Sequence, residues 1–125
     1  MTNAIVLFAH GARDARWAEP FVAIAGRVRA ARPGLRVELA FLELMPPDLG
    51  TLVARLFAEG ATRVDVVPLF LGSGGHLRND LPPLVDGLRA AHADLDLRLH
   101  PPIGENTAVI DAMATAALAL ASFGE

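Results

Sequence analysis

The order in which apolar runs and helical patterns alternate along this chain most restricts what it can fold into. Ala4–Ala9 (AIVLFA) is a continuous apolar run, as in a strand buried on both faces. A helical pattern follows from Ala15 to Arg32 and ends at Pro33-Gly34. Leu35–Leu42 (LRVELAFL) alternates and then becomes wholly apolar, which predicts a second strand. Pro46-Pro47-Asp48 opens a second helix, capped by Asp48, that runs to Glu59 and stops at Gly60. Arg63–Leu71 reads as a third strand. Leu77–Ala91 reads as a third helix, irregular at its start because of Pro82-Pro83. Leu95–His100 is a fourth, alternating strand with the look of an edge, and Glu105–Ser122 is a last helix, rich in alanine and apolar on most sides.

Strict alternation of strand and helix implies a parallel sheet with right-handed crossovers and helices on both faces. The expected strand order is 2-1-3-4, a truncated flavodoxin-like α/β sheet. The 125 residues show no linker, repeat or low-complexity tract, so one domain over 1–125 is expected, and a hydrophobic fraction of 53% is ample for its core. No stretch approaches the roughly 20 apolar residues that span a bilayer. The start, MTNAIVLF, is too short and lacks the basic residues of a signal peptide. The absence of cysteine excludes disulfides, thiolate metal sites and thiol catalysis, and fits a cytoplasmic protein. All 11 basic residues are arginine, which excludes a Schiff-base or P-loop lysine and reads as codon bias in a GC-rich genome. They are scattered and the net charge is −3, so no nucleic-acid partner is expected.

Ligands of such a sheet bind beyond the carboxyl ends of the strands, at the switch point between strands 1 and 3. Strand 1 ends in His10-Gly11-Ala12-Arg13-Asp14, strand 2 in Glu43, strand 3 in Gly72-Ser73-Gly74-Gly75-His76 and strand 4 in His100-Pro101-Pro102. His10 and His76 therefore flank the switch point. Two neutral imidazoles facing one crevice suit Fe, Co, Ni or Zn and leave coordination open, as transient handling of an ion requires. A lone histidine at a strand end is better read as a cap on a loop carbonyl; a pair at the switch point is better read as a metal site. Glu43, flanked by Phe41-Leu42 and Leu44-Met45, is either a carboxylate whose pKa is raised by apolar surroundings, suited to proton transfer, or a solvated helix-start acid. The loop at Ser73, Gly74 and Gly75 can present amides to an anion, and Arg13 and Arg78 can fork onto carboxylates. His100 is an outer candidate at the edge, His92 reads as surface and Trp17 as packing.

These residues resemble the small sirohydrochlorin chelatases, the CbiX/SirB type of class II chelatase, over nearly the whole chain. The resemblance rests on AHGARD at 9–14, FLEL at 41–44, GATRVDVVPLFLGSGGHLRNDLP at 60–82 and PPIG at 101–104. It implies a chelatase fold in which His10 and His76 bind the incoming metal and Glu43 assists proton removal or metal delivery. The implied reaction inserts Co²⁺, Fe²⁺ or Ni²⁺ into a sirohydrochlorin-type tetrapyrrole, for cobalamin or sirohaem, without an organic cofactor. A homodimer is implied because longer relatives place two such domains around one cleft. Leu44, Met45, Leu69 and Leu71 are expected to line that cleft. Ala12 departs from the serine that many relatives carry, and no histidine-rich tract of the nickel-inserting kind is present. A non-catalytic metal or tetrapyrrole carrier would need the same two histidines. A histidine phosphatase also places His-Gly after its first strand, but wants arginine where this chain has Ala9. A flavodoxin-like anion-binding module would need no metal.

Overall fold

The computed structural model describes residues 2–72 and 74–121, with the side chain of His76 outside the description. The strands are β1 (Thr2–Ala9), β2 (Arg36–Phe41), β3 (Ala61–Pro68) and β4 (Asp96–Leu99). All pairings are parallel and the order is β2-β1-β3-β4, as the element order predicts. Val6 in the middle of β1 lies between Glu38 of β2 and Val66 of β3. β1 and β3 each have a neighbour on both sides, but β1 alone has helices over most of both faces, and it is the most apolar strand.

The helices are α1 (Glu19–Ala31), α2 (Leu49–Ala58), α3 (Gly75–Ala91) and α4 (Thr107–Ala121). One face of the sheet, including Val6, Phe8, Val64, Val66 and Leu97, packs against Leu49, Leu52, Val53 and Leu56 of α2 and Leu81 and Val85 of α3. The opposite face, carried by Leu7 and Val37, packs against Ala25 and Val28 of α1. Trp17 sits with Phe21 over Ala9 and Phe41, a packing role as its sequence position implies. Asp48 caps α2 by accepting from the Thr51 amide at 2.7 Å. Two arginines each reach an edge-strand carbonyl eight residues on and tie helix to sheet. Arg29 donates to the Val37 carbonyl of β2, and Arg89 to the Leu97 carbonyl of β4. Each occupies an acceptor that an edge strand would otherwise leave open.

Three local features differ from the sequence reading. The expected helix 15–32 divides into a 3-10 turn at Ala15–Ala18 and α1. Asp14 caps that turn on the Arg16 amide, and Pro20 sets the start of α1. α3 begins two residues early, at Gly75, and runs through Pro82 and Pro83. α4 is helical as expected, with Ser122 outside the described residues, but none of its residues is buried.

Towards β4 the α1 face of the sheet becomes polar. Asp65 accepts from Arg63 at 2.8 and 3.1 Å and from the His100 ring at 2.7 Å. Burial pushes the Asp65 carboxyl up, but these hydrogen bonds and charges outweigh it and hold the group below its ordinary value. A carboxylate with a lowered folded value adds stability above its unfolded value of about 3.9, and that contribution disappears as pH falls through the folded value. Asp65→Asn is therefore expected to lower stability at neutral pH and to flatten the loss on acidification below about pH 4. Denaturant melts at several pH values check this; parallel loss in parent and variant would show that Asp65 contributes nothing.

Candidate functional site

The carboxyl ends of β1 and β3 meet where the strand order reverses, and His10 is the first residue beyond β1. Its backbone extends the sheet: Leu42 donates to Ala9 at 2.8 Å, Glu43 to His10 at 3.0 Å, and Leu69 to Phe8 at 2.7 Å. The imidazole is exposed but not unsupported. It lies on the Phe70 ring, with centroids 4.4 Å apart and planes tilted by 44°. Phe70 is itself buried and meets Phe8 edge-on at 5.9 Å. An imidazole held on a fixed aromatic floor has less freedom to lose on binding any partner.

Gly11 explains the His-Gly pair. Its φ is +92°, and a Cβ there would overlap the carbonyl oxygen of Glu43. The loops after β1 and β2 are thus pressed together, so His10 and Glu43 are neighbours through their backbones. The second loop is tight: the Met45 amide reaches back to the Glu43 carbonyl at 2.8 Å across Leu44, whose φ is +67°. The Glu43 side chain is exposed, not embedded in its apolar flanks. Phe41 turns into the core and Leu44 out to solvent, which leaves the carboxylate between them at the rim.

On the β3 side, α3 starts from Gly74, with no side-chain cap on its first amides. His76 is its second residue, so the backbone brings that position to the same rim as His10. Ser73 lies outside the described residues. Gly72, Gly74 and Gly75 have open space where a side chain would sit, so packing among the described residues does not require them. Arg13 is exposed and makes no ion pair among the described residues, because the neighbouring Asp14 is engaged by Arg16 at 2.9 Å. Arg78 is also exposed and borders a pocket of about 250 Å³ walled by Phe70, Leu77, Leu81 and Leu99. Of the expected apolar lining, Leu44 and Leu71 are exposed at the rim. Leu69 instead packs into the α1-side core, and Met45 against the Trp17 cluster. No group of three or more metal-ligating side chains occurs among the described residues.

Sequence reasoning missed Phe70 and Gly104. The Gly104 amide donates to the Phe70 carbonyl at 2.9 Å, and a Cβ on Gly104 would overlap the Leu71 backbone. The segment Pro101–Gly104 is a strap that holds Phe70, and with it the floor of His10. An aromatic directly before a glycine-rich loop was the available signal.

The family model for CbiX matches residues 4–118. The chain belongs to the CbiX family. A CbiX protein of known structure from Marinobacter aquaeolei superposes with a TM-score of 0.84 at 36% identity, over 96% of this chain and 98% of that one. The sirohydrochlorin chelatase SirB from Bacillus subtilis, solved with cobalt, superposes at 0.79 with 26% identity, over 96% of this chain and 51% of SirB. A sirohydrochlorin cobaltochelatase from Methanocaldococcus jannaschii is 33% identical over 90 residues, 72% of this chain and 63% of that protein. The chain spans less than two thirds of the length of these curated relatives, down to 41% of a sirohydrochlorin ferrochelatase from Priestia megaterium. The CbiX match covers β1 from Ala4, the other three strands and the whole rim from His10 to Gly104.

Proposed function

We propose that this CbiX chain inserts a divalent metal, Co²⁺ or Fe²⁺ and less favourably Ni²⁺, into a sirohydrochlorin-type tetrapyrrole in cobalamin or sirohaem formation. The observation that carries the reading is the exposed imidazole of His10, set on Phe70 at the switch point beside the first turn of α3. The relatives named as sirohydrochlorin chelatases support the substrate, and the cobalt-bound SirB structure supports the metal. His10 and His76 hold the ion, which is substrate and not a resident cofactor. No organic cofactor enters the reaction.

The macrocycle lies against the apolar rim at Leu44 and Leu71. Its peripheral carboxylates are met by Arg13 and Arg78 and by the amides of Ser73, Gly74 and Gly75, the two glycines having open space where a side chain would sit. As the ion passes from imidazole to the ring nitrogens, two pyrrole N–H protons must leave. Glu43, on the loop pressed against Gly11, or a histidine freed of metal accepts them. Glu43→Gln should lower the insertion rate by roughly 10²-fold while metal affinity stays near that of the parent; equal rates would return Glu43 to a solvated surface acid. A second copy completes the cleft, and the cytoplasm is the compartment in which metal and macrocycle meet. Among the described residues no helix is long and apolar enough to cross a membrane.

The direct test is an anaerobic insertion assay, following sirohydrochlorin absorbance with Co²⁺, Fe²⁺ and Ni²⁺ in turn. Many turnovers per chain are expected. Stoichiometric uptake without turnover would make the chain a carrier, and a rate equal to the uncatalysed one would end the chelatase reading.

A further inference from the structure

One residue of the rim stands in a conformation that nothing in its own packing explains. Among the described residues, Leu44 is the only one besides glycine with a positive φ, at +67°. A left-handed backbone crowds Cβ against the following carbonyl oxygen, so glycine or asparagine usually takes such a place. The bond from the Met45 amide to the Glu43 carbonyl, 2.8 Å long, closes a γ-turn of the rare, strained hand around it. The side chain gains no burial from this. Leu44 is 57% exposed and joins no buried cluster among the described residues, whereas Phe41, Leu42 and Met45 on the same loop all pack inward.

The surrounding loop imposes the conformation. Phe41 donates to the Pro47 carbonyl at 2.9 Å, Glu43 donates to His10 at 3.0 Å, and Gly11 presses on the Glu43 carbonyl oxygen. None of these contacts uses the leucine side chain, so they would hold asparagine in its place equally well. Backbone strain that the surroundings enforce, and that packing does not use, is a mark of places that meet a ligand. The strand order β2-β1-β3 sets Leu44, His10 and Leu71 in that order along the rim. The strands that deliver the two leucines lie roughly 10 Å apart, with the imidazole between them. Leu71 is 68% exposed. A flat apolar ring laid along the rim can therefore touch both leucines beside His10.

We propose that Leu44 is a substrate-contact residue that sets affinity for the macrocycle: the loop holds it at positive φ so that its side chain meets the apolar ring beside His10. Asparagine would be the less strained choice at this position but offers the ring no apolar surface. Covering a leucine that is 57% exposed is expected to strengthen binding by roughly tenfold. The contact is the same before and during metal insertion, so it acts on binding and not on the chemical step. The inference rests on the tetrapyrrole reading of the site, but it concerns ring binding alone and holds whether the chain turns over or only carries its ligand.

The test sets stability against affinity, because the two should move in opposite directions. Leu44→Asn and Leu44→Met are compared with the parent by thermal melts, by fluorescence titration with metal-free sirohydrochlorin, and by calorimetric titration with Co²⁺. Leu44→Asn is expected to melt at or above the parent's temperature, by up to about 4 °C, since asparagine tolerates the left-handed backbone. The same variant should bind sirohydrochlorin roughly tenfold more weakly. Leu44→Met, which restores an apolar side chain of similar size, should bind within about threefold of the parent. Co²⁺ affinity should stay within about twofold in both, because His10 and its loop are untouched. A Leu44→Asn protein that melts below the parent would show that the leucine serves the fold, and the proposal would fall. It would fall equally if Leu44→Asn bound the ring as the parent does, if Leu44→Met were as weak as Leu44→Asn, or if Co²⁺ affinity dropped in step with ring affinity. A parent that binds no sirohydrochlorin would overturn the substrate reading as well; a parent that binds it, with Leu44→Asn its equal, overturns the role of Leu44 alone.

Discussion

Alanine in place of His10 should reduce metal insertion by at least about a hundredfold, more than loss of an outer-sphere partner costs a metal site. The imidazole is exposed, so its removal empties no part of the core and the melting temperature should stay within about 2 °C of the parent. His76→Ala should be as damaging to insertion. The double variant should be little worse than either single one, because a broken pair no longer holds the ion and the two effects do not add. Isothermal titration with Co²⁺ beside the insertion assay checks this directly. Protons compete with the metal for imidazole nitrogen, so affinity in the parent should fall on acidification. Near-normal rates in the single variants, or fully additive losses, would refute the pair.

Gly11→Ala should be the most destabilising single change at the rim. The new methyl group demands both a positive φ and the space of the Glu43 carbonyl oxygen, and neither is free. A loss of about 2–4 kcal/mol is expected, or on the order of 10 °C in Tm. Insertion by the fraction that stays folded should also fall, because moving the Glu43 carbonyl displaces the His10 loop it touches. Gly26→Ala is the internal control. That glycine sits in α1 with open space around it, and the same substitution there should stabilise by up to about 1 kcal/mol. Thermal melts of the two variants settle the contrast; equal shifts would mean that the Gly11–Glu43 contact does not constrain the rim.

The sheet was legible because its signals are local and periodic. AIVLFA can only be a strand enclosed on both faces, and LDLRLH alternates because β4 is an edge. Asp48 was readable as a cap because its carboxylate needs only an amide three residues on. His10 and the His76 position were legible as rim residues because His10 directly follows β1 and position 76 lies in the first turn of the helix after β3, and the topology makes those two strands adjacent. The features that escaped depend on contacts between distant segments. The Phe70 ring under His10, the Gly104 pin on Leu71 and the meeting of Gly11 with Glu43 each join residues 30 or more positions apart. The exposure of Glu43 followed from a single residue, Leu44, turning the chain through positive φ. The apolar composition of α4 was plain, but composition alone does not say that none of its residues is buried.

The two prolines inside α3 divide that helix in a way its continuous outline conceals. Pro82 and Pro83 have no amide hydrogen, so the ladder lacks the two successive rungs that would end on the carbonyls of Arg78 and Asn79. The turns that carry position 76 are therefore fastened less firmly than those from Leu84 to Ala91, where Val85 is locked in the core and Arg89 is tied to β4. Amide hydrogen exchange should show these first turns opening on their own, well before the body of the helix yields. For the proposed His10–His76 pair, such an arrangement would fix one half of the grip to the sheet and let the other ride on a segment that can let go without unfolding anything else.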